Sequence, residues 1–233
     1  MRKGDEKRQE LLNVADRLFC TRGYDATSVQ DILDVLHTSK GGFYHYFASK
    51  ESVLDTLCGQ RAERFASEAQ KAMDGEEDTV RRLNILLHHF LPMRLEEGGF
   101  IRMLLPLLDK PEGMAVRARY EDALMTAFLP LLTQEIAQGV QRDACHPVSH
   151  EMGVPVLVLA NACWVEAARL VLDSARQGSR MDPAAALTVL EKYRRAIEVL
   201  LEAPYGSIEL LPLGEWAALS EQLAYHLAMP MNP

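Results

Sequence analysis

Helical periodicity runs the length of this chain and constrains its fold more than any other feature. Apolar residues return at three- and four-residue steps, and no segment shows sustained alternation bounded by hairpin turns. The chain therefore reads as all-α. Leu11, Leu12, Val14, Ala15, Leu18 and Phe19 predict an amphipathic helix over residues 5–21, ended at Arg22-Gly23-Tyr24 with Gly23 as a left-handed cap. Thr27-Ser28-Val29-Gln30 opens a second helix, with Thr27 and Gln30 at capping-box spacing. Its apolar face is Val29, Ile32, Leu33 and Leu36. After a break at Leu36-His37-Thr38, Ser39 to Phe47 form a third short helix. A fourth starts at Ser49-Lys50-Glu51 and runs to Met73.

The polar run Asp74 to Asp78 is the joint to a larger region. Beyond it the pattern predicts helices near 78–97, 99–108, 112–141, 149–177, 183–203 and 215–228. Pro92, Pro106, Pro130 and Pro155 lie inside apolar segments and are expected to kink or split them. No internal repeat or low-complexity segment is present.

Composition bounds the function. Net charge over the 233 residues is −8, which opposes nucleic acid, but the charge is uneven. Residues 1–50 carry eight Lys/Arg and seven Asp/Glu, leaving 17 against 26 in the remainder. The first 50 residues are the part least repelled by phosphate. Cys20, Cys58, Cys145 and Cys163 have no CxxC spacing and read as free buried thiols. The Cys145-His146 and His150-Glu151 cluster matches no zinc spacing, so no metal and no cofactor is expected. The longest apolar run, 154–165, is expected to be too short to span a membrane. A charged N-terminus without an apolar signal core points to the cytoplasm.

Two short helices joined by a tight turn and braced by a longer one are the parts of a DNA-reading helix-turn-helix. In the third helix Phe43 and Phe47 share one face, which can bury against Leu18, Phe19, Ile32 and Leu36. Lys40, Gly41, Tyr44 and His45 share the other. Gly41 and Gly42 are poor helix formers, at about 1 kcal/mol each against alanine, and need a reason. Close approach of backbone to DNA is one, and tight packing on the second helix is the other.

Residues 11–57 resemble the N-terminal domain of the TetR family of bacterial transcriptional regulators. The resemblance is carried by Leu18-Phe19, Gly23-Tyr24, Thr27-Ser28-Val29, Ile32, the run Ser39-Lys40-Gly41-Gly42-Phe43-Tyr44-His45-Tyr46-Phe47, and Ser49-Lys50-Glu51. The chain departs from the pattern at Leu36-His37-Thr38, where the family usually has a small residue, then Gly-Val. The resemblance implies that Thr27 and Ser28 cap the second helix and touch phosphate. It implies that Lys40, Gly41 and His45 face the groove, that Tyr44 and Lys50 bind phosphate, and that Phe43, Tyr46 and Phe47 are core. Ser39 and Gly42 complete the expected DNA-facing set.

It further implies a C-terminal helical bundle that dimerises and holds a ligand. The expected division is a helix-turn-helix domain at 1–58, with the fourth helix (50–73) connecting, and a ligand-binding and dimerisation domain at 59–233. Leu157, Asn161, Ala168, Leu187, Leu190, Arg194 and Ile197 recur at helical spacing and are the expected dimer face, against ordinary core as the alternative. His88, His89, Met93, Phe100, Met103, Met125, Phe128, Cys163 and Trp164 are the expected ligand contacts, because methionine and aromatic linings repack around apolar ligands.

No GxSxG, P-loop, HExxH or strand-borne GxGxxG occurs, so an enzyme is not expected. The expected protein is a homodimeric regulator, a repressor released from a palindromic double-stranded DNA operator by a small molecule. A helical interaction module without DNA binding is the alternative, and an activator a further one.

Overall fold

The computed structural model of the chain describes residues 3–91, 97–104, 111–179 and 181–211, with 218 and 221. Among the described residues there is no strand. The expected Met93 contact and the helix expected at 215–228 fall outside the described residues, apart from 218 and 221.

Helix α1 spans Lys3–Arg22. Leu11, Leu12, Ala15, Leu18 and Phe19 are all buried, as the three- and four-residue spacing requires. Gly23 then turns the chain at φ 96° and its N–H donates to Phe19 O at 3.0 Å. Helix α2, Val29–Leu36, begins one residue later than its sequence suggested. The capping box is Ser28 with Asp31, not Thr27 with Gln30. Ser28 Oγ accepts Asp31 N–H at 3.2 Å, and Asp31 Oδ2 accepts Ser28 N–H at 2.7 Å. Thr27 is buried, with its hydroxyl donating to Gly23 O at 2.8 Å. Gln30 instead donates to Asp34.

Helix α3 is short, Lys40–Tyr44, with Ser39 as its N-cap; Tyr46 and Phe47 lie beyond its end. The turn before it places His37 in the left-handed region at φ 48°, ψ 43°. A β-carbon there costs roughly 1–2 kcal/mol, which glycine avoids. His37→Gly should therefore raise stability by about 1 kcal/mol, read as a rise of roughly 2–4 °C in a thermal melt. An unchanged or lower melting point would mean that the imidazole repays its own strain.

Helix α4, Lys50–Ala72, leads away from α3 into the bundle. Helices α5 (Thr79–Phe90), α6 (Gly98–Leu104) and α7 (Pro111–Gln141) follow. Helix α7 packs along α4 and α5. It continues through Pro130 rather than splitting there. Phe65, Phe90 and Phe128 are buried, and the last two meet edge-on at 5.5 Å. A 3₁₀ turn at His150–Met152 opens α8, Gly153–Arg176, in which Pro155 falls in the first turn and is tolerated.

Gly153–Ser174, 22 residues, is long and apolar enough by length and composition to cross a bilayer, with a mean hydropathy of 1.6 in its apolar window. Its apolarity has a use here, since α8 packs against α5, α7 and α9 (Pro183–Leu201). After α9 the chain folds back. Ile208, Leu210 and Leu211 are buried, Asn84 of α5 donates to Ser207 O at 2.8 Å, and Asn84 Oδ1 accepts Glu209 N–H at 3.0 Å. The buried Glu198 carboxylate accepts Gly206 N–H at 2.8 Å.

Candidate nucleic-acid interface

Helix α3 sorts its residues by face. Phe43 and Phe47 are buried, with ring centroids 6.0 Å apart. Ser39, Lys40, Gly41, Tyr44 and His45 are exposed. Tyr44 is 55% exposed, unusual for so large a ring in a folded chain, and its phenol points away from the core. A cation, a phenol, an imidazole and a bare backbone thus stand together on one surface. Those groups match phosphate oxygens and base edges in a major groove.

The two glycines differ. A β-carbon on Gly42 would stand 2.9 Å from Thr38 Oγ1, so packing inside the turn explains that glycine. A β-carbon on Gly41 would meet nothing closer than Ser39 Oγ at 3.9 Å. The fold itself does not require glycine at 41.

Two residues expected at phosphate have other work. The Thr27 side chain is fully buried and cannot reach a ligand. Lys50 is half-buried. Its ammonium donates to Tyr24 O at 2.9 Å and Thr27 O at 3.0 Å and lies 4.1 Å from the Tyr24 ring centroid. Two of its three donors hold the 23–28 loop, leaving one for a partner. Ser28 remains exposed at the head of α2. Asp31, on the same helix, is tied to Ser28 and lies 3.6 Å from Arg22. The Ser28 hydroxyl and backbone bonds hold its carboxyl below the usual aspartate range.

The expected dimer residues divide. Leu157, Ala168 and Ile197 are buried within the chain and have no surface to offer, so their placement on a partner-facing surface is corrected. Arg194 is spent on Glu191 and on Glu198, the latter at 3.0 Å. Asn161 and Leu190 are half-buried, and Leu187 is exposed. The apolar surface of α8 and α9 lies instead at Val154, Val158, Leu187 and Val199.

The expected ligand residues also divide. Phe100, Met103, Phe128, Cys163 and Trp164 are buried, while Met125, His88 and His89 are half-buried. His89 Nδ1 lies 2.9 Å from Ile85 O. Sequence reasoning missed Tyr120 of α7. Its ring meets Phe100 at 5.0 Å, and its buried hydroxyl has no hydrogen-bond partner among the described residues. The signal was its place midway between Val116 and Leu124 at steps of four. Burial pushes the Cys58 and Cys163 thiols up to about 12. Burial with nearby Asp16 does the same to Cys20. These thiols stay protonated near neutrality and are weak nucleophiles.

Known proteins match the same parts. The profile of the family described as bacterial regulatory proteins, tetR family, matches residues 11–57. An uncharacterised HTH-type transcriptional regulator of Bacillus subtilis, YuxN, is 32% identical over 124 residues, which is 49% of this chain and 41% of that protein. The HTH-type transcriptional repressor KstR2 of Rhodococcus jostii is 47% identical over 51 residues, 22% of this chain and 25% of its own length. The chain thus matches less than half the length of these curated relatives. A TetR-family transcriptional regulator from Pectobacterium atrosepticum shares the fold, with a TM-score of 0.63 at 20% identity over 88% of this chain and 99% of that one.

Proposed function

We infer that this chain, which belongs to the TetR family of bacterial regulatory proteins through its N-terminal domain, is a DNA-binding repressor released from a palindromic operator by a small molecule. The outward face of α3 carries this reading, because Lys40, Gly41, Tyr44 and His45 are exposed together while Phe43 and Phe47 anchor the helix from behind. Ser28 and Ser39 flank it at the heads of α2 and α3, and Gly42 shapes the turn. Lys50 adds one donor, and Thr27 acts through the loop it holds.

The work divides along the chain. Residues 1–58 bind DNA, α4 connects, and residues 59–233 bind the effector and a second copy. The exposed Val154, Val158, Leu187 and Val199 support α8 and α9 as the dimer face. The effector sits among the helices that carry Phe100, Met103, Met125 and Phe128. The Tyr120 hydroxyl, without a partner among the described residues, supplies a polar anchor for it. A dimer reads successive major grooves only when its recognition helices stand about 34–36 Å apart. An effector that prefers a differently spaced conformer lowers occupancy by that preference alone. The protein works in the cytoplasm, has no catalytic role and needs no metal or cofactor.

Titrating the protein against the DNA flanking its own gene, at several salt concentrations, tests the reading. Tight binding to one segment, weakening steeply with salt at a slope of about −0.9 per phosphate neutralised, is expected. Binding that is weak and indifferent to salt would favour an interaction module instead.

A further inference from the structure

The head of α6 is fastened to α1 through one side chain of α4. Arg61 is only 11% exposed at its side chain. Its Nη2 donates to Asp16 Oδ1 of α1 at 2.6 Å, and its Nε donates to Glu97 Oε2, just before α6, at 3.1 Å. Its guanidinium lies 4.1 Å from the centroid of the Phe100 ring on α6. Glu97 also accepts from Arg64, one turn further along α4. Beside this cluster α6 runs close against α1, and a β-carbon on Gly99 would stand 3.3 Å from Cys20 Cβ.

The geometry leaves little slack. A guanidinium is a planar fork, so bonds from Nε and Nη2 fix the two carboxylates relative to each other. A nearly buried cation that loses one of them is left undercompensated, and that is costly. A shift of α6 must therefore either carry α1 with it or break one of these bonds. Helix α1 packs on α2, and α2 on α3. On the other side, Phe100 leans on Tyr120 of α7. A continuous set of contacts runs from Tyr120 through Phe100 and Arg61 to Asp16.

We propose that Arg61 is the positioning residue that makes the pose of α1, and hence of α3, depend on the pose of α6. This deepens the reading of the chain as an effector-released repressor and rests on it. Arg61 touches neither DNA nor effector. It converts a displacement at α6 into a changed presentation of the recognition helix.

The test pushes on α6 from a position remote from DNA. Gly99→Val crowds Cys20 and should weaken operator binding by about tenfold, within the usual range of coupling between sites. In an Arg61→Met background the same substitution should change affinity by less than about twofold, since contacting residues are non-additive. Arg61→Lys keeps the charge without the fork and should behave like Arg61→Met. Equal losses in both backgrounds, or no loss in either, would overturn the proposal. Amide exchange of residues 11–22 in the DNA-free protein provides a second measurement. Arg61→Met should speed it by about tenfold through local opening. Unchanged exchange there, with loosening confined to α6, would also overturn it. A wild-type protein that binds no DNA would defeat the repressor reading, while the exchange result would still decide the role of Arg61.

Discussion

Glu135→Ala should cost about 3–5 kcal/mol, the usual penalty for removing one partner of a buried ion pair. Glu135 is 3% exposed on α7 and holds Arg82 of α5 in a two-bond fork, Nη2 to Oε1 and Nε to Oε2, both at 2.7 Å. The third arm of Arg82, Nη1, donates to Met73 O at 2.9 Å and Glu76 O at 3.1 Å, at the end of α4 and in the turn that follows. One guanidinium therefore ties together three helix segments. The Glu135 bonds raise the affinity of this guanidinium for its proton, and an arginine stays charged even without such a partner, so removing the carboxylate leaves a cation behind. An urea titration at fixed protein concentration should show the midpoint falling, with little change in slope. Glu135→Gln keeps an acceptor for Arg82 and should cost roughly half as much. By contrast, Lys7→Ala removes an exposed pair with Glu10 and should change stability by less than about 1 kcal/mol. A loss below about 1 kcal/mol for Glu135→Ala would mean that water reaches Arg82 and that the pair is not effectively buried.

This joint was not legible in the sequence, because Arg82 and Glu135 lie 53 residues apart. The same holds for Arg61, whose partners Asp16 and Glu97 are 45 and 36 residues away. Local pattern reveals what local physics decides. The periodicity of Leu11 through Phe19 gave α1, and the four-residue step from Phe43 to Phe47 gave the buried side of α3. The cap of α2 was misplaced by one residue because Thr27 and Ser28 are both good caps. The choice between them depends on Gly23, whose left-handed turn places a carbonyl where the Thr27 hydroxyl can take it. Some residues expected to face a partner are interior, for a different reason. Helix α8 is apolar nearly all round, so spacing alone cannot say which stripe turns inward. Leu157 and Ala168 face the chain's own core, whereas Val154 and Val158 remain outside. Pro130 was expected to kink or split its segment, and α7 runs through it unsplit, in a segment held by packing against α4 and α5. At the candidate site, sequence reasoning found the exposed groups of α3 and missed that Lys50 and Thr27 are engaged within the protein.

That engagement decides which substitutions report on DNA. The Lys40→Ala, Tyr44→Ala double variant should lose about 100-fold or more in operator affinity, from two contacts at roughly 1–3 kcal/mol each. Its thermal midpoint should stay within about 2 °C of wild type, because both side chains are exposed and surface substitutions change stability little. Lys50→Ala is a poorer probe, since it also removes the bonds that hold the 23–28 loop. The adjacent glycines sharpen the test. Gly41→Ala adds a methyl group to open space and should gain about 0.5–1 kcal/mol of helix propensity. If bare backbone at 41 approaches the bases, the same variant should nevertheless bind operator about tenfold more weakly, as a misfit in a close contact does. Gly42→Ala meets Thr38 Oγ1 and should lower stability before it lowers affinity. Rising stability with falling affinity at 41, and falling stability at 42, would place DNA against the exposed face of α3. Unchanged affinity in both Gly41→Ala and the double variant would remove that face from the interface, and with it the geometric basis for reading this helix as the one that enters the groove.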